Sequence, residues 1–460
     1  MIKPLNIHNV PKDTNKQNGQ ALIILLILLV TGTTSLFVHS VNTNKLNNER
    51  DKKTYESLAK AKVALMGQAI MWNYGNGRPG DLPCPDLNDD GVAETSCGNS
   101  DGSTGQAYRI GRLPWKTLGL PDLRDGDGER LWYAVSNNFK NNTRTTCTAL
   151  SSAGCLNSNT IGTISTRQSN GQLILDASSG NNGAIAVILA PGKILRRQGA
   201  ASDQDRSCTG ANCKTYDPCT TSPASLTPKC NPINYLDKGN GEDNASFIDG
   251  TADGFISGNI ASTSQPNTLI VNDKLLTITA SELTPLLEKR VAGEVLACLS
   301  NYASGNGGRY PWAAKMNASS APAYADTTDT LFGRLPDTPF TNTNISNPSM
   351  GINWICNIAS NSYWWLNWKE SVFYGLGNAY KPANTTTPPG IDVYINPTTT
   401  LSNKQVVVII AGKPLSGQSR TTNSDKANPA NYLEGFNTGA TSTFQKDVAT
   451  STFNDYLLFQ

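Results

Sequence analysis

One acidic loop, residues 86–91 (DLNDDG), has the residue types and spacing of a chemical site. Its spacing fits D-x-[DN]-x-[DN]-G, the first half of a calcium-binding loop, in which alternate side-chain oxygens converge on one hard cation. Glu94 stands at the ninth position of this pattern, and Cys97 takes the twelfth in place of the usual bidentate glutamate. The loop is therefore predicted to bind calcium through Asp86, Asn88, Asp90 and Glu94. The alternative is a solvated turn rich in Asx residues.

Histidine is almost absent from the sequence, which narrows the chemistry available to it. The two histidines are His8 and His39, both near the N-terminus. The rest of the chain therefore cannot supply Ser-His-Asp or Cys-His catalysis, or a histidine-ligated metal. A pair of carboxylates could still hydrolyse glycosides. Because no spacing singles out such a pair, we expect the protein not to be an enzyme.

An aromatic run at residues 363–368 (YWWLNW) is the second candidate site. On a strand, successive aromatic residues face both ways, so that one set can be exposed and bind a partner. Trp364, Trp365 and Trp368 are on this interpretation predicted partner contacts. The alternative, which we favour because large aromatic side chains are mostly buried, is that these rings fill a core.

Composition indicates an exported protein. Only 16% of the 460 residues are charged and the formal net charge is +2, so we expect no nucleic-acid partner. The ten cysteines form no C-x-x-C pair, and disulfides in an oxidising compartment explain them best. Sequence proximity favours, without proving, the pairs Cys84–Cys97, Cys147–Cys155, Cys208–Cys213, Cys219–Cys230 and Cys298–Cys356.

The sequence contains an internal repeat. Six segments recur in the same order: 73–74 as 301–302, 111–114 as 333–336, 129–137 as 370–378, 186–193 as 407–413, 231–237 as 428–434, and 272–276 as 454–458. Ordered self-similarity of this kind indicates duplication of one structural unit. Two modules are therefore predicted, at residues 50–276 and 277–460.

Each module is predicted to begin with a helix and continue with strands. Apolar residues from Tyr55 to Trp72 recur every three or four positions, and a second helix is predicted from Thr279, whose spacing to Glu282 fits a capping box. The pair Thr284-Pro285 is an alternative start. The predicted strands are Leu131–Val135, Gln172–Leu175, Ala184–Ala190, Val372–Leu376, Asp392–Ile395 and Val406–Ala411. Helix followed by sheet is an α+β order.

An apolar segment precedes these modules. No charged residue occurs between Lys16 and Lys45, and residues 21–30 are hydrocarbon throughout. This segment is long enough to cross a bilayer, and the lysines before it predict a cytoplasmic N-terminus. A plain signal anchor or a cleaved secretory signal is the simpler alternative. We expect one helix to continue from the segment to about residue 72, or two helices with a break at residues 42–48.

The polar leader, the Gly19-Gln20 pair and the following apolar segment resemble the N-terminus of type IV pilins and pseudopilins. The resemblance implies cleavage by a prepilin peptidase between Gly19 and Gln20, methylation of the new N-terminus, and a head in which a helix packs on an antiparallel sheet. It covers about the first fifth of the chain. Ile24 stands where the family usually has glutamate at the fifth mature position, as in some minor members such as the tip pseudopilin of type II secretion.

The predicted fold is therefore α+β: a long N-terminal transmembrane helix followed by two tandem, disulfide-bonded pilin-like modules. The leader would span residues 1–19, and the transmembrane helix with its extension residues 20–49. The resemblance implies a minor pilin-like or pseudopilin-like subunit in the inner membrane, single-pass, with a periplasmic or extracellular ectodomain and other pilin subunits as partners. It would act in a type IV pilus or in type II secretion. A membrane-tethered binding or adhesion protein outside any filament is the alternative, and a carboxylate-dependent hydrolase is the least favoured.

Overall fold

The computed structural model describes residues 45–71, 78–97, 109–140, 155–179, 183–206, 230–246, 254–316, 324–336, 363–382, 390–395, 399–439 and 442–460. The predicted leader, the cleavage site at Gly19 and Gln20, and the apolar segment fall in residues 1–44, outside the described part of the chain.

Helix α1 occupies residues 45–71. Its buried face consists of Leu58, Ala61, Leu65 and Ala69, which follow the predicted spacing of three and four residues. Tyr55, predicted on the same face, is instead 56% exposed. The helix predicted for this segment is thus confirmed, with a narrower apolar face than the sequence indicated.

The first half of the described chain adds the following strands to α1. They are β1 (Ile110–Arg112), β2 (Trp132–Val135), β3 (Ser165–Arg167), β4 (Leu173–Leu175), β5 (Ala186–Ala190), β6 (Lys238–Gly239), β7 (Glu242–Asp243), β8 (Gly254–Ile256), β9 (Ile260–Ala261), β10 (Leu269–Val271) and β11 (Lys274–Ile278). One antiparallel sheet has the order β1-β2-β5-β11, and a second sheet has the order β4-β3-β8. Two-stranded pairs join β6 to β7 and β9 to β10.

The second half repeats this arrangement. Its elements are α2 (Ala280–Gly305), β12 (Phe332–Arg334), α3 (Tyr363–Trp368), β13 (Val372–Leu376), β14 (Ile391–Ile395), β15 (Thr399–Lys404), β16 (Val406–Ile410), α4 (Asn423–Ala427), β17 (Thr443–Lys446) and β18 (Tyr456–Phe459). An antiparallel sheet has the order β12-β13-β16-β18, and a smaller one the order β15-β14-β17. In both halves the smaller sheet contains one parallel pair, β3 with β8 and β14 with β17.

Helix α2 begins where the capping box predicted it. The Glu282 carboxylate accepts a hydrogen bond from the Thr279 backbone N–H at 3.0 Å, and Pro285 lies inside the first turns of the helix. Lys62 of α1 forms a 2.5 Å ion pair with the same glutamate. The two helices of the repeat are therefore linked at this end.

A single hydrophobic core spans both halves. One cluster of buried residues includes Leu65 of α1, Val291 of α2, Ile188 of β5 and Val408 of β16. The opposite face of each four-stranded sheet packs against a separate hydrophobic cluster formed within its own half. The cluster of the first half contains Val187. Both sheets are thus buried on both faces, which explains why their central strands are nearly continuous apolar runs.

The predicted fold class is wrong. The described chain is a mixed α/β structure with several small sheets, whose halves share a core rather than forming two closed helix-on-sheet modules in series. Charged side chains along α1 and α2 limit the apolar surface of each helix. Within the residues that the structure describes, no helix combines the length and the apolar character needed to cross a membrane, which corrects the single-pass inner-membrane location predicted from the sequence.

Candidate functional site

The acidic loop brings all four predicted calcium ligands into one turn, with their oxygens occupied by backbone amides. Asp86 accepts hydrogen bonds from Gly91 N at 2.7 Å and Asp90 N at 3.2 Å. Glu94 reaches back across the loop, where its Oε1 accepts from Leu87 N at 3.3 Å. The carboxylates therefore support the turn from inside, as they would in an Asx-rich loop.

The other two predicted ligands make similar local contacts. Asn88 Oδ1 accepts from Asp90 N at 3.1 Å, and Asp90 Oδ1 accepts from Val92 N at 2.7 Å. A disulfide joins Cys84 to Cys97 across the ends of the loop, with their Cα atoms 5.6 Å apart. This disulfide confirms one predicted pair.

Burial affects the charge of this loop. It raises the pKa of Asp86 to about 7, and the nearby Asp89 and Asp90 charges act in the same direction. Asp86 is therefore partly protonated at neutral pH, which weakens it as a ligand for a cation. Among the described residues, no group of three or more His, Cys, Asp or Glu side chains is arranged to hold a metal. Calcium binding by this loop stays a prediction.

Three other cysteines of the described chain, Cys155, Cys230 and Cys298, are also disulfide-bonded. The partners predicted for them, Cys147, Cys219 and Cys356, lie outside the described residues, as do Cys208 and Cys213. The individual pairings therefore stay predictions.

The tryptophan run forms a short helix and is buried. Trp364, Trp365 and Trp368 lie on α3, not on a strand, and are between 0% and 8% exposed. All three belong to the core that the two halves share. The expected exposed partner contacts are therefore absent from these residues, and the alternative interpretation, that the rings fill a core, fits their burial.

An arginine–tyrosine–arginine stack occurs in the first half. The guanidinium carbon of Arg112 lies 3.9 Å from the ring centroid of Tyr235 and 4.3 Å from that of Trp132. The guanidinium carbon of Arg206 lies 5.0 Å from the same tyrosine centroid. Arg206 also donates to the carbonyl oxygens of Asn234 and Gly192, at 2.9 and 2.7 Å. These contacts fix the turn that carries Tyr235.

The second half has the same stack at the matching positions. The guanidinium carbon of Arg334 lies 4.2 Å from the ring centroid of Phe373 and 4.3 Å from that of Tyr432, and the guanidinium carbon of Arg420 lies 4.4 Å from Tyr432. Arg420 donates to the carbonyl oxygens of Asn431 and Gly412. The recurring G-R-L-P motif, which carries Arg112 and Arg334, and the N-P-x-N-Y-L motif thus encode a structural contact.

A pair of buried carboxyl groups lies beside the first stack. Asp237 accepts from Gln204 Nε2 at 3.0 Å and from Asn272 N at 2.7 Å. Asp273 Oδ2 accepts from Asp237 N at 2.8 Å and from Asn244 Nδ2 at 2.7 Å. The two carboxyl groups are close enough for the protonation of one to depend on that of the other. Burial, together with the Asp237 charge, raises the pKa of Asp273 well above its ordinary value.

The second half repeats this pair with Glu434 and Asp455. Glu434 accepts from Gln418 Nε2 at 2.8 Å and from Asn454 N at 3.0 Å. Asp455 Oδ2 accepts from Glu434 N at 3.0 Å and from Asn437 Nδ2 at 2.9 Å. Burial and the Glu434 charge raise the pKa of Asp455 well above its ordinary value.

Part of this network is predictable from sequence. The tyrosines and the acids lie in the repeated segments, whereas Gln204, Arg206, Gln418 and Arg420 lie outside them. A signal was present, because Gln204-Asp-Arg206 and Gln418-Ser-Arg420 share the pattern Q-x-R between matched segments.

A polar cleft lies between the N-terminal part of α1 and the loop after β5. Its volume is about 280 Å³. Arg50 lies 3.7 Å from Asp127 on its wall, and Lys274 forms an ion pair with Asp51. Lys193 contributes a further cation. Two opposite-sign pairs, the Lys193 ammonium group and several amide side chains line the cleft, so it offers polar contacts to a small ligand.

Comparison with known proteins gives no matching family model, no matching curated protein and no matching solved structure.

Proposed function

We propose that the protein is a non-catalytic interaction subunit of the pilin-like type, which takes part in filament assembly in a type IV pilus or in type II secretion. The observation that carries the proposal is the repeated pairing of a long helix with a four-stranded antiparallel sheet, α1 in the first half and α2 in the second. Each half thus supplies a helix and a sheet to one body with a common core, which could serve as a rigid unit of an assembly.

The polar groups of the repeat support a structural role. The two Arg–Tyr–Arg stacks and the two carboxyl pairs are engaged with one another and with the backbone, and both sets recur in each half. A requirement of the fold applies equally to both copies of a duplicated unit. The duplicated body therefore fits a rigid building block.

Disulfide bonding supports export. The Cys84–Cys97 bond and the bonded state of Cys155, Cys230 and Cys298 fit a protein that folds in an oxidising compartment. An assembly role outside the cytoplasm is compatible with that compartment. Prepilin peptidase and other pilin or pseudopilin subunits are the proposed partners.

Leader processing tests this proposal directly. Intact-mass analysis and N-terminal sequencing of the protein from its native cells should find a chain that starts at Gln20 with a methylated amine. Replacement of Gly19 by alanine should block processing and incorporation into filaments, whereas Gly32→Ala should leave both unchanged. A chain that starts at Met1, or beyond Val38, would rule the proposal out.

The polar cleft favours a second candidate function, that of a binding or adhesion protein outside any filament. On this proposal the cleft takes a short polar oligosaccharide, and the Arg50→Ala and Lys193→Ala variants lose the interaction. An oligosaccharide array probed with the wild-type protein and both variants distinguishes the cases. Binding that persists in both variants, or no binding at all, would leave the cleft without this role.

A further inference from the structure

Each half of the molecule encloses two carboxyl groups that touch each other away from water. Asp237 and Asp273 are 0% exposed, and Glu434 and Asp455 are 8% and 5% exposed. The Oδ1 atoms of Asp273 and Asp455 are buried and have no hydrogen-bond donor among the described residues. Two adjacent ionised carboxylates in such a site would repel each other and would lack solvation.

The surrounding charges supply fewer cations than the two carboxylates of each pair would need: in the first half an arginine acts on one member, and in the second half one arginine faces both members. Arg206 acts on Asp237, and it is itself 3.4 Å from Glu129. The pKa of Asp273 is affected by Asp237, whose charge raises it, and by the neutral Asn244, whose hydrogen bond lowers it. In the second half, Arg420 faces Glu434, Asp455 and Tyr432, and Arg334 lies beyond the tyrosine. The largest influences on the pKa of Asp455 are burial and the Glu434 charge, and the single Arg420 guanidinium faces both carboxyl groups of this pair.

We propose that each half holds one shared proton, as an O–H group of Asp273 that donates to Asp237 and an O–H group of Asp455 that donates to Glu434. The proton supplies the hydrogen bond that each orphaned Oδ1 atom lacks. It also reduces the charge of each pair from two negative charges to one. Because the same carboxyl pair occurs in both halves of the repeat, we infer that the bound proton stabilises the folded state.

The shared proton acts as a latch between distant segments. Asp273 and Asp455 directly precede the last strands of the four-stranded sheets, β11 and β18. Asn244 also exchanges hydrogen bonds with Ile256 of β8, and Asn437 does the same with Gln445 of β17. Loss of the proton therefore weakens the joint between the larger sheet, the smaller sheet and the N-Y-L turn in each half.

The latch makes stability fall as the pH rises. The folded state binds one proton per half that the unfolded chain releases above about pH 4. Between that pH and the folded pKa, each latch lowers the folding equilibrium constant about tenfold per pH unit. Above the folded pKa, the proton is lost from both states and the dependence ends.

Two neutral substitutions within one pair test the proposal, because they differ only in where a donor is placed. Asp273→Asn can keep every contact, with its oxygen on Asp237 N and Asn244 Nδ2 and its Nδ2 donating to Asp237. Asp237→Asn instead turns an amide donor toward Asn272 N or Gln204 Nε2. The matched variants in the second half are Asp455→Asn and Glu434→Gln.

Urea denaturation from pH 5 to pH 9 gives the readout. In the wild-type protein, each proton contributes up to a tenfold fall in the folding equilibrium constant per pH unit. Asp273→Asn and Asp455→Asn should each remove one such contribution. They should remain folded at pH 9, and Asp237→Asn and Glu434→Gln should be the less stable variants at every pH. Equal destabilisation by both members of a pair, or an unchanged pH dependence, would overturn the proposal.

A measurement on the wild-type protein covers variants that do not fold. Infrared spectroscopy at pH 7 should show the carbonyl stretch of protonated carboxylic acids, with the part assigned to the latches absent from the Asp273→Asn/Asp455→Asn double variant. The proposal would be overturned if the wild-type protein lacked this band, or if a chelator destabilised the protein. A cation, and not a proton, would then join the carboxyl groups.

Discussion

Arg112 places its guanidinium group over two aromatic rings and also donates to the carbonyl oxygen of Arg130 at 3.1 Å. A planar guanidinium can stack on two rings and donate in its plane at the same time, whereas the ammonium group of lysine cannot. We therefore predict that Arg112→Lys lowers the free energy of unfolding by about 1–2 kcal/mol. Urea denaturation measures the change.

The control for this substitution is Arg196→Lys. Arg196 forms an exposed ion pair with Asp203 at 3.2 Å, and both side chains are more than half exposed. Exposed pairs contribute little, so the control should change the free energy of unfolding by no more than about 0.5 kcal/mol. An equal effect of the two substitutions would show that the stacked geometry at Arg112 is not what stabilises the fold.

The calcium prediction at Asp86 has a pH signature of its own. Because burial raises the pKa of Asp86 to about 7, protons compete with a cation below that pH. Added Ca²⁺ should raise the melting temperature at pH 8 more than at pH 6, and Asp90→Asn should reduce the gain. Weak extracellular sites bind calcium in the millimolar range. If about 5 mM Ca²⁺ leaves the melting temperature unchanged, the loop is only an Asx-rich turn.

Glu288 is a further titratable group, buried in α2 near the Ser158 side chain. Burial raises its pKa to about 8, while the nearby Ser158 hydroxyl and the Arg420 charge oppose the shift. The folded state therefore binds a proton that the unfolded chain loses, and stability falls as the pH rises toward 8. We predict that Glu288→Gln removes this dependence, a relative gain of up to about 1.4 kcal/mol per pH unit.

Guanidinium denaturation at pH 5 and pH 8 checks the Glu288 prediction. Glu56→Gln is the matched control, since Glu56 pairs with Lys52 on the exposed side of α1. The control should leave the difference between the two pH values unchanged. A wild-type pH dependence that survives in Glu288→Gln would contradict the prediction.

At the scale of elements, periodicity predicted what local sequence controls. The strand Val372–Leu376 was predicted with its observed bounds, and the other predicted strands differ by one or two residues at an end. The capping box at Thr279 also placed the start of α2. Each of these features depends on residues close together in the chain.

Features that depend on distant residues were missed. The parallel pairs β3–β8 and β14–β17 join segments far apart in sequence, and no local pattern specifies such pairing. The aromatic run at residues 363–368 is interpreted from sequence as a strand but forms the helix α3, because a short apolar run does not distinguish a strand from a buried helix. The carboxyl pairs are not predictable from local sequence either, because Asp237 and Asp273 become neighbours only in the folded chain.

The loop at residues 155–160 joins the two halves at the element scale. Leu156 N donates to Asn367 Oδ1 of α3 at 2.6 Å, and Arg420 donates to Asn159 Oδ1 at 2.8 Å. Asn367→Ala would leave the buried Leu156 N–H without an acceptor. We predict a loss of about 1–3 kcal/mol in unfolding free energy and faster proteolysis of the loop.

Asn48→Ala is the control for this change, because Asn48 is exposed on α1. It should leave both the denaturation midpoint and the proteolysis rate close to those of the wild type. If Asn367→Ala behaves like the control, the docked loop contributes nothing to holding the halves together.

At the scale of the whole molecule, the shared core determines how the protein unfolds. Leu65 of α1 and Val291 of α2 lie in one cluster with strands of both four-stranded sheets, so neither half buries its share of this cluster without the other. A chain of two independent modules, as the internal repeat predicted, would unfold in two steps. Interdependent halves are expected to unfold together, because loss of one exposes the core of the other.

We therefore predict one cooperative transition for the disulfide-bonded protein. Hydrogen exchange followed by mass spectrometry should give the same opening free energy for the central strands β2 and β13, which belong to different halves. Asn367→Ala, which weakens the joint, should lower both values together. Separate free energies for the two strands, or a change confined to β13 in the variant, would mean that the halves are independent units despite their common core, and that the repeat acts as two bodies instead of one rigid block.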